Sequence, residues 1–325
     1  MAEWSCSGLQ SRLRRFDSDP SLHVILRLHR FAALEPGPSL LVLGAVHGNE
    51  TCGTHASARV IEALDSGALV LRRGAVTFLP VTNPLAYRLQ RRAGDRNLNR
   101  NLRPKATPLD FEDRVGNVLC DLLASHEVLL DLHSFQAPAA PFVMTGTTAP
   151  DSPEWAFARS LGVGRCVTGW MEVYADGVRR RQQAGVRSDP GLTDLQYGVG
   201  TTEYLRACGG YGVTLECGQH DDPSAVDVAE QAIRRALAFL GMTDAARPAP
   251  ADCELLRLTE VIDREHADDG FVAEWSSFSR VVAGELVARR HDGRQIRAAT
   301  DGCIMFPSRL AAPGHEWFYF ARRET

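Results

Sequence analysis

No stretch of this chain approaches the roughly 18 unbroken apolar residues of a membrane-spanning helix, so no span is expected. The first residues, MAEWSCSGLQSRLRRFDSD, lack an apolar h-region; no secretory signal is visible and a cytoplasmic location is expected. Positive charge is not in excess. The formal net charge is -4, which argues against general nucleic-acid binding, since that needs a basic face. C-x-x-C pairs are missing as well. The eight cysteines (Cys6, Cys52, Cys120, Cys166, Cys208, Cys217, Cys253, Cys303) are scattered, which fits reduced thiols better than bridges. Internal repeats and low-complexity tracts are also lacking. What is present is 325 residues, 44% of them hydrophobic, enough for one large core and a small appended domain.

Residues 1–245 alternate strand-like and helix-like runs, the pattern of an α/β sheet with crossover helices. Leu40–Val46, Ala75–Val81, Val128–Leu132 and Tyr211–Leu215 read as short interior strands. Thr54–Leu64, Phe111–Ser125 and Val226–Leu240 carry apolar residues at helical spacing. Between Pro138 and Gly210 lies a stretch read as long and irregular, the kind of loop that forms lids or substrate walls. Its Arg179-Arg180-Arg181 run is either a solvated charge run or a rim that attracts anions. Residues 246–252 (ARPAPAD) make a linker, and residues 252–325 read as a small all-β barrel or sandwich. Three Asp-Gly pairs, Asp269-Gly270, Asp292-Gly293 and Asp301-Gly302, are hairpin signals there.

The chemistry-bearing residues stand where apolar runs stop. LLVLGAVHGNET ends a strand in His47 and Glu50, and LLDLHS ends another in His133. Two imidazoles and a carboxylate are the ligand set of a catalytic zinc that leaves a fourth position open. Ligands gather outside the carboxyl ends of strands in open α/β sheets, so two such ends point to one site. Gly44 and Gly48 allow a sharp turn and close approach around His47. Two further clusters accompany them. Residues 88–102, RLQRRAGDRNLNRNL, collect arginines and asparagines suited to gripping carboxylates, or form a basic solvated loop. GVTLECGQH ends an apolar strand in Glu216, a carboxylate that needs a cationic or metal neighbour, or else an ion pair with an arginine.

Taken in order, HGNE, Asn83-Pro84, the element running from Arg92 to Asn99-Arg100, DLHS and LECG resemble the succinylglutamate desuccinylase/aspartoacylase family, amidohydrolases related to zinc carboxypeptidases. The resemblance covers about residues 38–245, and the small β-domain fits the family's usual layout. It implies an α/β, zinc-carboxypeptidase-like, mixed but mostly parallel sheet flanked by helices. It makes His47, Glu50 and His133 ligands of one Zn2+ per chain, and Glu216 the general base. Arg92 would polarise the scissile carbonyl, while Asn99 and Arg100 would hold a substrate carboxylate. Arg206 falls where the family can place another carboxylate-binding arginine. The tyrosine expected four residues before it is Thr202 here, which leaves the acyl-group specificity open.

The expected activity is hydrolysis of the amide of a small-molecule N-acyl amino acid. The nearest rival is a zinc carboxypeptidase acting on short peptides. A non-catalytic zinc-binding module is a second alternative, disfavoured by Glu216, because binding alone needs no base. A nucleic-acid or carrier-interaction protein has only the Arg-rich segments in its favour. The β-domain is suited either to covering the site entrance or to homo-oligomer formation.

Overall fold

The computed structural model describes residues 26–137, 139–183, 185 and 193–324. The N-terminal stretch read above, with Cys6, lies outside that range, as does Pro138. Among the described residues no helix is long and apolar enough to cross a membrane.

One sheet organises the molecule. β1 (His29–Ala32), β2 (Glu35–Leu43), β3 (Arg73–Leu79), β4 (Val128–Phe135), β5 (Phe142–Met144), β6 (Arg165–Thr168) and β7 (Tyr211–Gln219) fill its catalytic half. β8 (Glu254–Asp263), β10 (Ser279–Val281), β13 (Gly302–Met305) and β14 (Glu316–Arg323) continue it, in the order β1-β3-β2-β4-β7-β5-β6-β8-β14-β13-β10. From β3 through β7 the neighbours run parallel; β5 then pairs antiparallel with β7 and parallel with β6.

Alternation along the central strands explains how both faces are covered. Leu40 and Val42 of β2 join one core with Ala56 and Val60 of α1 (Cys52–Asp65) and Ala229 and Ile233 of α7 (Ser224–Phe239). Leu41 and Leu43 point the other way, to Val115 and Leu119 of α3 (Phe111–Ala124) and Leu205 of α6 (Thr201–Ala207). These leucines are fully buried, and each contributes about 1.5–3 kcal/mol of burial free energy.

The 138–210 stretch is more ordered than the sequence suggests. It holds β5, α4 (Pro153–Ser160), β6, α5 (Trp170–Gln183), a 3-10 turn (Leu195–Gly198) and α6. β5 has 3 residues and β6 has 4, too few for a period to show. In the arginine run Arg179 and Arg180 are exposed, as a solvated run would be, while Arg181 is buried; each has an acidic partner. Arg179 pairs with Asp176; Arg180 bonds Glu260 and the Val261 carbonyl, and Arg181 bonds Asp263 at 2.8 Å, clamping α5 onto β8.

Residues 254–323 are all-β, as expected, but one layer of the sandwich is the end of the large sheet. β8 pairs parallel with β6, matching Arg165 to Glu254. A second sheet of β9 (Gly270–Phe271), β11 (Leu286–Arg289) and β12 (Gln295–Arg297) packs on that end through Phe271, Val287, Ile304, Trp317 and Phe318. Of the three Asp-Gly pairs, only Asp292-Gly293 turns a hairpin, between β11 and β12. Asp269 is a buried hub instead, accepting from Arg290 and the amides of Glu265, His266 and His291.

Candidate metal centre

β2 stops at Leu43, and the chain turns through Gly44 and Ala45, the latter in the left-handed region at φ 45. Two backbone bonds from the segment after β3 pin this turn: Thr82 N–H to the Gly44 carbonyl and Asn83 N–H to the Ala45 carbonyl. Asn83 also caps α2 (Pro84–Leu89) by accepting from Ala86 N–H, so Asn83-Pro84 starts the helix that backs the loop. Gly48 lies against that helix. A Cβ there would sit 1.9 Å from the Ala86 carbonyl carbon, so no other residue fits without moving His47.

β4 supplies the other half. The β4–β7 register sets His133 beside Glu216 and Asp131 beside Thr214, so Asp131, His133 and Glu216 share a face. His47, Glu50 and His133 are all buried, and their donor atoms lie within 4.8 Å of one another. Glu50 reaches both imidazoles, with Oε1 2.9 Å from His47 Nδ1 and Oε2 2.8 Å from His133 Nδ1. The two Nδ1 atoms are 3.2 Å apart.

The far ring nitrogens decide what that convergence means. Asn97 Oδ1 accepts the Asn99 backbone N–H at 2.9 Å, which fixes its amide orientation. The same oxygen lies 3.0 Å from His47 Nε2, so His47 carries its proton on Nε2. His133 Nε2 is 3.0 Å from Asp131 Oδ2, an off-line electrostatic contact that holds a proton there too. Asp131 is fully buried and is itself steadied by the Thr201 hydroxyl. With a proton on each outer nitrogen, both Nδ1 atoms would turn lone pairs toward the Glu50 carboxylate, a donor set able to hold a cation. An oxygen on each outer nitrogen is the arrangement by which proteins orient metal-binding histidines. The donor set fits a divalent metal.

Burial and neighbouring charges shift each ionisable group of this cluster. Burial opposes charge on His133, yet Asp131 and Glu50 outweigh it and hold its pKa well above the ordinary value. Burial, reinforced by the Arg92 charge, lowers His47 to about 4. For Glu50 burial works upward, but His47 and His133 hold it well below the carboxylate range.

Glu216 faces this set without joining it. Its Oε2 is shut from solvent and has no hydrogen-bond partner, though the residue as a whole is partly accessible. Burial and then the Glu50 charge push its pKa up to about 7, the range for a general base near neutrality. The structural ion pair weighed for it is not what the structure shows. Arg92 instead bonds Glu50, Nη1 to Oε1 at 2.8 Å, with its side chain 55% exposed. Asn99 accepts from Thr201 N–H at 2.9 Å, leaving its amide nitrogen as a donor. Arg100 stacks its guanidinium 4.9 Å above the Trp170 ring.

Arg206 is the residue that fails its expected role. Its Nε and Nη2 grip Glu154 at 2.8 and 2.9 Å, Nη1 bonds Glu203, and Nη2 also donates to the Gly212 carbonyl. Gly212 lies near the start of β7, four residues before Glu216, so Arg206 fastens the far end of the strand. Arg206→Ala is expected to lower unfolding free energy by about 3 kcal/mol, because it strands the buried Glu154. Denaturant titration beside substrate kinetics checks this; unchanged stability with a selectively raised KM would restore the carboxylate role.

Sequence reasoning did not single out Asp131, Asn97 or Thr201 as the residues that orient the ligands. A carboxylate inside the apolar run VLLDL was the available signal for Asp131. It also missed Glu112, fully buried at the start of α3, which accepts from Asn83 and the amides of Gly94, Asp95 and Arg96. That carboxylate, with Asp113 bonding Arg96, makes the arginine-rich segment an ordered wall.

Residues 36–164 match the model of the succinylglutamate desuccinylase/aspartoacylase catalytic domain. This stretch of the chain is similar to that catalytic domain. The matched segment contains His47, Glu50, Arg92, Asn99, Arg100, Asp131 and His133; Glu216 lies beyond it and is placed by the sheet register. No curated protein matches the sequence. Among solved structures, a succinylglutamate desuccinylase/aspartoacylase from Rhodobacter sphaeroides shares the fold at 16% identity and TM-score 0.69, over 93% of this chain and 90% of that one. The product-bound ectoine utilization protein EutE from Ruegeria pomeroyi aligns at 17% identity and TM-score 0.67, over 93% and 89%. An aspartoacylase family protein from Mesorhizobium loti aligns at 20% and 0.64, over 92% and 90%. At such identities the likeness is one of fold, and it extends through the C-terminal strands.

Proposed function

We propose that the protein is a zinc-dependent amidohydrolase that releases the amino acid from a small N-acyl amino acid. One observation carries this reading: two Nδ1 lone pairs and the Glu50 carboxylate converge opposite a buried Glu216 oxygen that has no partner. Ligand pockets need not hold a base. A carboxylate kept near pKa 7 beside a metal-type donor set is suited to moving a proton.

His47, Glu50 and His133 would hold the cation, which when bound supplies Lewis acidity and brings the pKa of water from about 15.7 to about 7. Glu216 takes a proton from the attacking water and returns it to the departing amine nitrogen. That double duty is worth about 10²–10⁴-fold. The exposed part of the Arg92 guanidinium stabilises the oxyanion that forms as the carbonyl is attacked, at about 3 kcal/mol for one such donor group. Asn99 and Arg100 orient the substrate by its α-carboxylate. The products are a carboxylate and a free amino acid, so atoms and charge balance with water as the only co-reactant. Zinc is preferred for the imidazole and carboxylate donors, with other divalent ions able to substitute according to availability.

The zinc-loaded protein, tested across N-acyl amino acids and short peptides with amine release as readout, should hydrolyse the former. Turnover of peptides alone would move the assignment to a carboxypeptidase, and release from neither would end the hydrolase reading. A cytoplasmic setting is part of this proposal, and there the scattered cysteines would be reduced thiols. Homo-oligomer formation through the C-terminal strands is compatible with the same reading.

A further inference from the structure

A continuous path of aromatic rings joins the proposed carboxylate grip to the proposed base. Arg100 lies over Trp170; Trp170 meets Tyr319 at 5.5 Å, Tyr319 meets Phe306 at 5.9 Å, and Phe306 meets Phe142 at 5.8 Å between centroids. Phe142 is the direct β5 neighbour of Glu216 on β7 and therefore shares its face. Phe135 and Phe278 flank Phe142 at 5.8 and 5.2 Å.

A packed core would make such a path too, but two observations separate it from one. Phe135, Trp170, Phe278 and Phe306 are only partly buried, whereas core rings such as Phe142 are closed off completely. Phe278 and Phe306 also sit in the left-handed region, at φ 71 and φ 51. A bulky side chain rarely adopts that conformation, and strain of this kind gathers at ligand-binding positions. Both residues come from the C-terminal β region, which gives that region a part in the site.

Charge along the same wall is already balanced. Arg165, 4.4 Å from the Phe278 ring, pairs with Glu254 at 3.0 Å. Arg181 pairs with Asp263, and Arg206 is held by Glu154 and Glu203. A second carboxylate on the substrate would meet neutralised cations and apolar rings, and its desolvation would go uncompensated.

Resting on the hydrolase reading above, we propose that the amino-acid side chain of the substrate is apolar and aromatic, seated on the partly open Phe278 and Phe306 rings, with the closed-off Phe142 packed behind them. The geometry gives the reason. Glu216 protonates the amine at one end of the amino acid and Arg100 holds its carboxylate at the other. The α-carbon would then lie between them, with its side chain toward Phe278 and Phe306.

The test compares N-acetyl-L-phenylalanine with N-acetyl-L-aspartate on the zinc-loaded full chain. The phenylalanine derivative should lead in kcat/KM by about 10–100-fold, the discrimination that burial of one large apolar side chain supplies. Phe306→Gly removes a ring while relieving the left-handed strain, and should cut that ratio about tenfold; Phe278→Ala is the second variant. Binding of free L-phenylalanine and free L-aspartate by calorimetry decides the matter without turnover. Preference for aspartate in either assay, or a ratio that both variants leave unmoved, overturns the aromatic assignment alone. Absence of hydrolysis with phenylalanine still bound in preference would overturn the reaction and keep the wall.

Discussion

Glu216→Gln should lose about 10²–10⁴-fold in kcat while binding its metal as the wild type does. Glutamine keeps the shape of the side chain and its place beside His133 in the β4–β7 register, so the three donors are undisturbed. What disappears is the proton acceptor, because an amide cannot take a proton from water near neutrality. The pH dependence follows with a definite sign. Burial and the Glu50 charge raise Glu216 to about 7, and the base works only when ionised, so wild-type kcat/KM falls as pH drops through the acid limb. A cation on His47, Glu50 and His133 opposes the Glu50 charge, placing that limb no higher than about pH 7. The variant should retain only a small residual rate without this limb. A kcat within a few-fold of wild type, with the limb intact, would take Glu216 out of the reaction.

The second large effect concerns the donor set. His133→Ala should reduce bound zinc from one per chain to nearly none, measured by elemental analysis after dialysis, with turnover lost in parallel. The remaining pair, His47 and Glu50, comes from a single turn and cannot enclose an ion. The same change leaves the Asp131 carboxylate fully buried without its imidazole, a defect of about 3–5 kcal/mol when a buried pair is broken. Asp131→Asn is the graded companion. It keeps all three donors and removes only the charge behind His133 Nε2, so zinc affinity should fall about 10–100-fold with the fold retained. Full zinc occupancy in His133→Ala, or an unaltered affinity in Asp131→Asn, would contradict the ligand geometry.

Much of this site was legible because its residues follow short apolar runs that end abruptly. His47, Glu50, His133 and Glu216 each mark such an end, and the four parallel strands behind them were read within a few residues of their observed limits. The glycines around His47 were equally readable, and Gly48 proves to be a true close approach to Ala86. Other features depend on partners distant in the chain. Arg206 has the right spacing for a substrate grip, but Glu154, fifty-two residues away, occupies it. The arginine run on α5 looked free until β8 supplied Glu260 and Asp263. β5 and β6 are too short for any period to reveal. The linker and the turn-rich sequence after it suggested a separate body, while the pairing of β6 with β8 fuses one layer of it to the main sheet.

The most direct measurement is zinc-edge anomalous diffraction from crystals of the zinc-loaded protein. A single peak bonded to His47 Nδ1, His133 Nδ1 and the Glu50 carboxylate, with Glu216 facing it and unbound, is the predicted result. A peak elsewhere, coordination through the Nε2 atoms, or no peak at that position would contradict the account.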